Sequence, residues 1–323
     1  MRRAILPLAV VVAALVATAC GQRVPSGGPD AGPGSSSPMA TASPSPSPLP
    51  SPTAYPSPDT APTASADPFR GLGAWVDIFD RTAFGDPEGT VATLEARGVR
   101  TLYLETQSYR FRGDFRFPEP LGRFLDAAHE AGIKVVAWYV PGFDDLARDL
   151  DRSLAAIDFA SPTGQRFDGF GLDIEVTVVA DPAERAERVV ELSSDIRMLA
   201  DQGYPLGAIV PSPLRSSSYW PILPMAELGA IYDAMLPMAY WTGHASGEGG
   251  AHDYISESIQ IVRDETGRPG IPIHVIGGLA GESGAEEIDG FVRAVKEGKV
   301  RGASLYDAAS TDEAGWAALG PLR

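Results

Sequence analysis

Short apolar runs alternate with longer amphipathic stretches along most of the chain, and this alternation begins only after residue 67. Eight runs have the length and the β-branched or aromatic content of strands: residues 72–79, 101–105, 134–140, 169–175, 206–210, 233–237, 273–276 and 302–306. Between them, apolar positions spaced three and four apart predict helices such as 121–131, 182–201, 254–266 and 285–297. Gly98, Gly132, Gly203, Gly267 and Gly298 stand where those helices should stop. The segment after the fifth strand has the weakest helical pattern. A strand, helix, glycine, strand order repeated over about 255 residues fits a single (β/α)8 TIM barrel, an α/β fold, over residues 68–323. An open doubly wound sheet would usually carry a Gly-rich phosphate turn after its first strand, and none is present.

The first 67 residues follow different rules. Arg2 and Arg3 precede an unbroken apolar run from residue 4 to 17, too short for a stable membrane span and typical of a signal peptide over residues 1–19. The run closes on Ala17-Thr18-Ala19-Cys20-Gly21. This resembles the lipobox of bacterial lipoproteins, although Ala17 stands where that pattern prefers leucine. The resemblance makes Cys20 the lipidated N-terminus, with the protein exported and held on the outer face of the cell membrane. Residues 20–67 are dominated by Pro, Ser, Ala, Gly and Thr, a composition that builds no core and reads as a disordered linker. A Pro-rich tether of this kind spans roughly 3.1 Å per residue.

Cys20 is the only cysteine, so the fold relies on its core and not on intramolecular disulfides. The net charge is -16, and residues 1–67 are balanced, with Arg2, Arg3 and Arg23 against Asp30, Asp59 and Asp67. The whole acidic excess therefore lies on the barrel. Such a surface repels phosphate backbones and excludes nucleic acid as an expected partner.

The segment that carries chemistry is Phe167-Asp168-Gly169-Phe170-Gly171-Leu172-Asp173-Ile174-Glu175. Side chains alternate along a strand, so Phe170, Leu172 and Ile174 should face the helices while Gly171, Asp173 and Glu175 face the barrel axis. Two carboxyls then meet at the C-terminal end of a barrel strand, where active sites of this fold lie. Like charges this close should leave one of the pair protonated near neutral pH, as a general acid requires. The alternative is a structural pair bound to Arg or Lys of neighbouring strands.

Residues 168–175 resemble the D-G-F-D-L-D-x-E strand of glycoside hydrolase family 18, the chitinases and endo-N-acetylglucosaminidases. The resemblance implies that Glu175 is the acid and that Asp173 orients the substrate's N-acetyl group, which attacks the anomeric carbon in place of an enzyme nucleophile. Asp168 matches the first Asp of that motif and is carried over as a substrate-site residue. Met238-Ala239-Tyr240 is similar to the family's M-x-Y, which makes Tyr240 the group that assists the acetamido carbonyl. Gly302-Ala303-Ser304-Leu305-Tyr306 is similar to its G-x-M-x-W, with Tyr306 as a smaller floor under the sugar.

The departures are specific. Gly171 replaces the motif's middle Asp, Trp241 replaces the Asp after the tyrosine, and strand three reads Ala137-Trp138-Tyr139-Val140-Pro141 in place of S-x-G-G. Without the middle Asp, the expectation is that Asp173 ionises more readily and Glu175 holds its proton more tightly. Barrel glycosidases with two enzyme carboxylates usually add an Asn before the strand-four Glu and a second Glu at the end of strand seven. Here Ile174 precedes Glu175, and the first carboxylate after strand seven is Glu282, which favours substrate assistance.

Other residues complete the expected site. Trp75, Trp138, Tyr139, Trp220, Tyr240, Trp241 and Tyr306 fall near strand ends, where their faces could stack on sugar rings. Asp77, Asp80, Glu105 and Gln107 end the first two strands and could hydrogen-bond hydroxyls or hold Arg110. His244 and His252, with Glu248 between them, are read as solvent-facing loop residues and not as metal ligands. The sequence thus predicts a monomeric, cofactor-free, lipid-anchored glycosidase acting on N-acetylhexosamine-containing polysaccharide such as peptidoglycan. A non-catalytic glycan-binding barrel and a barrel glycosidase of another family remain the alternatives.

Overall fold

The computed structural model describes residues 65–323, so the expectations for the signal peptide, Cys20 and nearly all of the linker fall outside the described residues. Eight strands run in order: β1 (Gly71–Val76), β2 (Thr101–Ser108), β3 (Lys134–Val140), β4 (Gly169–Asp173), β5 (Leu206–Val210), β6 (Ala234–Pro237), β7 (His274–Leu279) and β8 (Gly302–Tyr306). Each pairs in parallel with its chain neighbour and β1 pairs with β8. Parallel bridges Met235–Ile273 and Met238–Ile276 join β6 to β7 and complete the ring. This is the expected (β/α)8 barrel.

The helices among the described residues are α1 (Arg81–Gly85), α2 (Pro87–Ala96), α3 (Pro118–Glu130), α4 (Leu146–Asp158), α5 (Pro182–Leu199), α6 (Met225–Ile231), α7 (Gly247–Glu265), α8 (Ala285–Glu297) and α9 (Glu313–Ala318). Their starts are written locally. Asp86 and Asp181 cap helices whose first residue is proline, and Asp80, Asp145 and Asp312 likewise accept main-chain N–H groups at helix starts. The helix after the fifth strand is the seven-residue α6, reached through a long loop, which explains its faint pattern. Four of the five stop glycines adopt left-handed φ, but at the end of α8 that role falls to Lys299 (φ 49°) and not to Gly298. No helix among the described residues is long and apolar enough to cross a membrane.

The alternation divides the core in two. Phe170, Leu172 and Ile174 pack with helix residues such as Phe124 and Val189 in an outer layer. Phe69, Trp75, Tyr103, Val136, Trp138, Ile209 and Leu236 fill the barrel interior. Trp75 stacks on Tyr103 at 4.1 Å and meets Trp138 edge-on at 5.6 Å. So many aromatic rings fit because several inward positions are glycine. A β-carbon at Gly73 would lie within 2.9 Å of His274 and Tyr103 ring atoms, and one at Gly207 within 2.8 Å of Leu236 and Phe69. Phe69, from the turn before β1, closes the floor. Its carbonyl accepts from His274 Nδ1 at 3.0 Å, His274 Nε2 accepts from Ser304 Oγ at 3.0 Å, and Ser304 Oγ accepts from Trp75 Nε1 at 2.8 Å. Burial holds His274 near pKa 4, so this chain is built on the neutral imidazole.

Candidate active site

The mouth at the C-terminal ends of the strands gathers five carboxyls, those of Asp77, Glu105, Asp173, Glu175 and Asp307, the last of which acts on Asp77 and Tyr240. Asp173 is the last residue of β4, and Glu175 stands two positions on, in the turn that follows, where its charge acts on Asp173. Asp173 is 5% exposed, and its Oδ1 is buried with no hydrogen-bond partner among the described residues. Glu175 stands higher and is open to solvent on one side. The loop that carries it is fixed by its neighbours: Ile174 N donates to Ile209 O at 2.8 Å, and Trp220 Nε1 donates to Glu175 O at 3.2 Å. Trp220 is held under the Arg185 guanidinium, 4.3 Å from the ring centre, and Arg185 also donates to the carbonyls of Val179 and Tyr219.

Glu105 and Asp77 lie beside this pair, from β2 and the end of β1. Glu105 is 2% exposed and accepts from Ile78 N at 2.9 Å. Desolvation, opposed by that bond and reinforced by the charges of Asp77 and Glu175, lifts its pKa to about 8. Asp77 accepts from Phe79 N at 2.7 Å and from the Tyr306 hydroxyl at 3.2 Å, and burial raises it above the usual carboxylate range. The rings of Tyr240 and Tyr306 lie 6.2 Å apart, tilted by 42°. Burial drives the Tyr240 phenol well up, and Asp173 and Glu175 add to the effect. Arg110 is the cation whose field reaches both Glu105 and Glu175.

Both members of the central pair titrate high, but not in the expected order. Burial pushes Asp173 well above the normal range, and the charges of Glu175 and Glu105 push it further. Glu175 is raised by desolvation and pulled back by Arg110. The expectation that Asp173 would ionise more readily is therefore corrected. The deeper carboxyl is raised because it is buried without a donor, and the outer one faces water and an arginine.

Several expected residues lie elsewhere. Asp168 sits at the opposite end of β4, where it accepts from His129, Lys134 and Val135 N and ties β3 to β4 below the barrel. Trp241 is wholly buried outside the barrel against Phe291, at 5.4 Å. Trp138 points inward as expected but lies one layer down, level with Gly171 and 3% exposed. Trp75 is likewise interior, and Tyr139 faces outward, donating to Asp149 at 2.5 Å. Asp80 caps α1, and Gln107 pins the loop after β2 through the carbonyls of Arg112 and Gly113. His252 lies on α7 between Asp253 and Glu297, while Glu248 pairs with Arg293. Among the described residues no cluster of His, Cys, Asp and Glu is arranged to hold a metal ion.

Tyr219 was not foreseen. It is half exposed on the loop after β5, and its phenol is pushed up to about 12 by desolvation and by the charges of Glu175 and Asp173. Loop residues of this kind carry no periodic signal.

No protein-family model matches the chain, and no curated protein matches it by sequence. Solved structures do match in fold. The endo-β-1,4-mannanase of Thermotoga petrophila superposes with TM-score 0.59 at 12% identity, covering 79% of this chain and 76% of that one. The spore cortex-lytic enzyme SleL of Bacillus cereus gives 0.57 at 11% identity, covering 78% and 74%. A family 18 chitinase from Cycas revoluta, in complex with allosamidin, gives 0.55 at 14% identity, covering 78% and 97%. The chain has the (β/α)8 barrel fold of these enzymes. In this barrel Asp173, Glu175 and Tyr240 converge on one mouth, whereas Asp168 serves the barrel's other end.

Proposed function

We propose that this barrel is a glycoside hydrolase that cleaves polysaccharide containing N-acetylhexosamine by substrate-assisted acid catalysis. The observation that carries the reading is the carboxyl pair at the C-terminal end of β4: a buried Asp173 with an unpartnered oxygen and, in the turn that follows, a solvent-reached Glu175. An acetamido N–H that meets the Asp173 carboxyl as it turns towards the mouth supplies the donor that site lacks. The new hydrogen bond favours the aspartate anion, and the sugar that covers Glu175 strips it of water. The pair's proton then belongs on Glu175, where it is transferred to the glycosidic oxygen as the acetamido oxygen closes on the anomeric carbon. Asp173 stabilises the cationic ring so formed, and the Tyr240 hydroxyl, kept protonated, donates to that acetamido oxygen. Water opens the intermediate with Glu175 as base. Asp77 and Glu105 hold sugar hydroxyls, with Tyr306 beside them.

The chitinase and cortex-lytic enzyme among the structural neighbours support this class of substrate, with peptidoglycan as the natural candidate for an exported protein. The lipobox-like segment supports anchoring through Cys20 to the outer face of the membrane, with the barrel acting as a monomer. The test is mass spectrometry of peptidoglycan and chitin oligosaccharides incubated with the full chain, wild type beside Glu175→Gln. New reducing-end fragments from the wild type alone are expected. Intact substrate in both reactions, with retained oligosaccharide binding, would replace this reading with a non-catalytic glycan-binding barrel, the alternative that Gly171 favours.

A further inference from the structure

The molecule is strongly acidic, yet one cavity on its rim is walled by arginines. Between the loop after β2 and the first turns of α4 lies a hollow of about 400 Å³ bordered by Arg110, Arg112, Arg148 and Arg152, with Asp114 as its one acid and Tyr109 on the side nearest the barrel. A cavity of this size is in the range of small-ligand sites.

The cations there are poorly neutralised. Among the described residues, carboxylates pair only with Arg148, through Asp144 at 3.1 Å and Asp145 at 3.8 Å, and its Nε is buried without a partner. Arg152 is 4% exposed and donates only to neutral oxygens, the carbonyls of Ser108 and Phe111 and the Tyr139 hydroxyl. Arg110 donates to the Tyr109 hydroxyl, and Arg112 is exposed with no side-chain partner. Only Arg152 is buried, and it shares the Tyr139 hydroxyl with the buried Asp149 carboxyl. Arg110 and Arg112 are exposed and have no carboxylate partner, so on a chain of net charge -16 their guanidinium forks stay open to an anion from outside.

The hollow adjoins the cleft. β3, which leads into α4, lies between β2 and β4 in the sheet, Tyr109 packs against the interior cluster, and the Arg110 charge reaches Glu175. Guanidinium forks match carboxylates in bidentate geometry. We propose that this hollow is a carboxylate subsite, and that the glycan taken by the cleft carries acidic substituents on or between its N-acetylhexosamine units. Two sugar chemistries supply that group: a lactyl ether on the amino sugar, or a uronic acid alternating with it. The inference rests on the glycan-cleft reading of the mouth, but not on catalysis.

The test is calorimetric titration of the full chain with three tetrasaccharides: chitotetraose, a hyaluronan tetrasaccharide, and the N-acetylglucosamine–N-acetylmuramic acid repeat. At low salt, at least one acidic tetrasaccharide should bind roughly tenfold or more tightly than chitotetraose, with an advantage that shrinks as salt rises. The tighter of the two identifies the source of the carboxylate. Arg112→Gln combined with Arg148→Gln should bring the acidic ligands to the level of chitotetraose and leave chitotetraose within about twofold. Should the double variant fail to fold, the exposed Arg112→Gln alone carries the comparison.

Equal affinity for all three tetrasaccharides, equal weakening of all three in the variants, or no binding of any of them overturns the subsite. Preferential binding of an acidic tetrasaccharide with no turnover of any would leave the subsite standing and remove the hydrolase reading. Turnover without an acidic preference would do the reverse.

Discussion

The indole Nε1 of Trp220 donates a 3.2 Å hydrogen bond to the main-chain carbonyl of Glu175. A buried ring from the β5 side thus sets the position of a carboxyl from the β4 side. The Arg185 guanidinium lies 4.3 Å over the same ring and fixes its tilt. Trp220→Phe keeps most of the volume and removes the donor, a net loss of about 1 kcal/mol in stability. The larger effect is expected in the chemistry. A misplaced Glu175 should lower kcat by about tenfold, with KM within twofold. Steady-state kinetics on a cleaved oligosaccharide, with a thermal melt alongside, check this. A proportional rise in KM with kcat unchanged would make Trp220 a substrate contact instead.

Glu105 makes a prediction about pH. Its folded pKa of about 8 lies above its ordinary value of 4.5, so the folded protein keeps a proton that the unfolded chain releases. The stability this provides is complete below about 4.5 and is lost as the pH rises through about 8. Glu105→Gln retains an acceptor for Ile78 N–H and removes the titration. Its gain should be near zero at pH 4.5 and on the order of 2 to 4 kcal/mol at pH 9. That corresponds to a rise of roughly 5 to 10 °C in melting temperature at the higher pH. Melts across this range decide it, and a pH-independent difference would place the shift elsewhere.

The barrel was legible because its periods are clean. β3, β5, β8 and α8 begin and end at the expected residues, where alternation or an unbroken apolar run meets a glycine or a charge. The same parity put Asp173 on the axis side. Parity also held the signal against two expected site residues, Asp168 carried over from the motif and Trp241 taken from the aromatics near strand ends. Asp168 has the parity of the outward Phe170, and Trp241 follows the inward Tyr240. Trp138 has the right parity and the wrong height, which depends on where β3 pairs with β4. Arg110 and Tyr219 stand on loops, where no period predicts which way a side chain turns. The order of the Asp173 and Glu175 titrations depends on depth below the mouth, and a sequence does not record depth.

The anchor makes a separate prediction. With Cys20 lipidated, the protein should take up labelled fatty acid and stay with the membrane fraction. One or two acyl chains supply about 0.8 kcal/mol per buried methylene, and no helix among the described residues replaces them. Cys20→Ser should abolish the label and move the protein to the soluble fraction. Retention of the unlabelled variant on membranes would mean that another segment holds it there.

The last prediction concerns Gly171, where the family 18 motif has an aspartate. A β-carbon at this position would lie 3.1 Å from Ile209 Cδ1, 3.6 Å from its Cγ1 and 3.7 Å from Trp138 Cβ. The first of these is the end of a side chain and can rotate away, so a methyl group is tolerable. A carboxyl is a different matter, because it would enter the apolar interior between Trp138 and Ile209, one inward position below Asp173. A third acid there would desolvate itself and raise Asp173 further. Gly171→Asp is therefore expected to lower the melting temperature by roughly 5 °C or more at pH 7, a cost of about 2 kcal/mol, and to reduce kcat and not restore it. Gly171→Ala separates the two effects, since it adds the β-carbon without the charge and should cost less than half as much. If Gly171→Asp instead increased turnover at unchanged stability, the interior beneath Asp173 would have to accept a proton-sharing carboxyl. The glycine would then mark a lost relay and not a packing requirement.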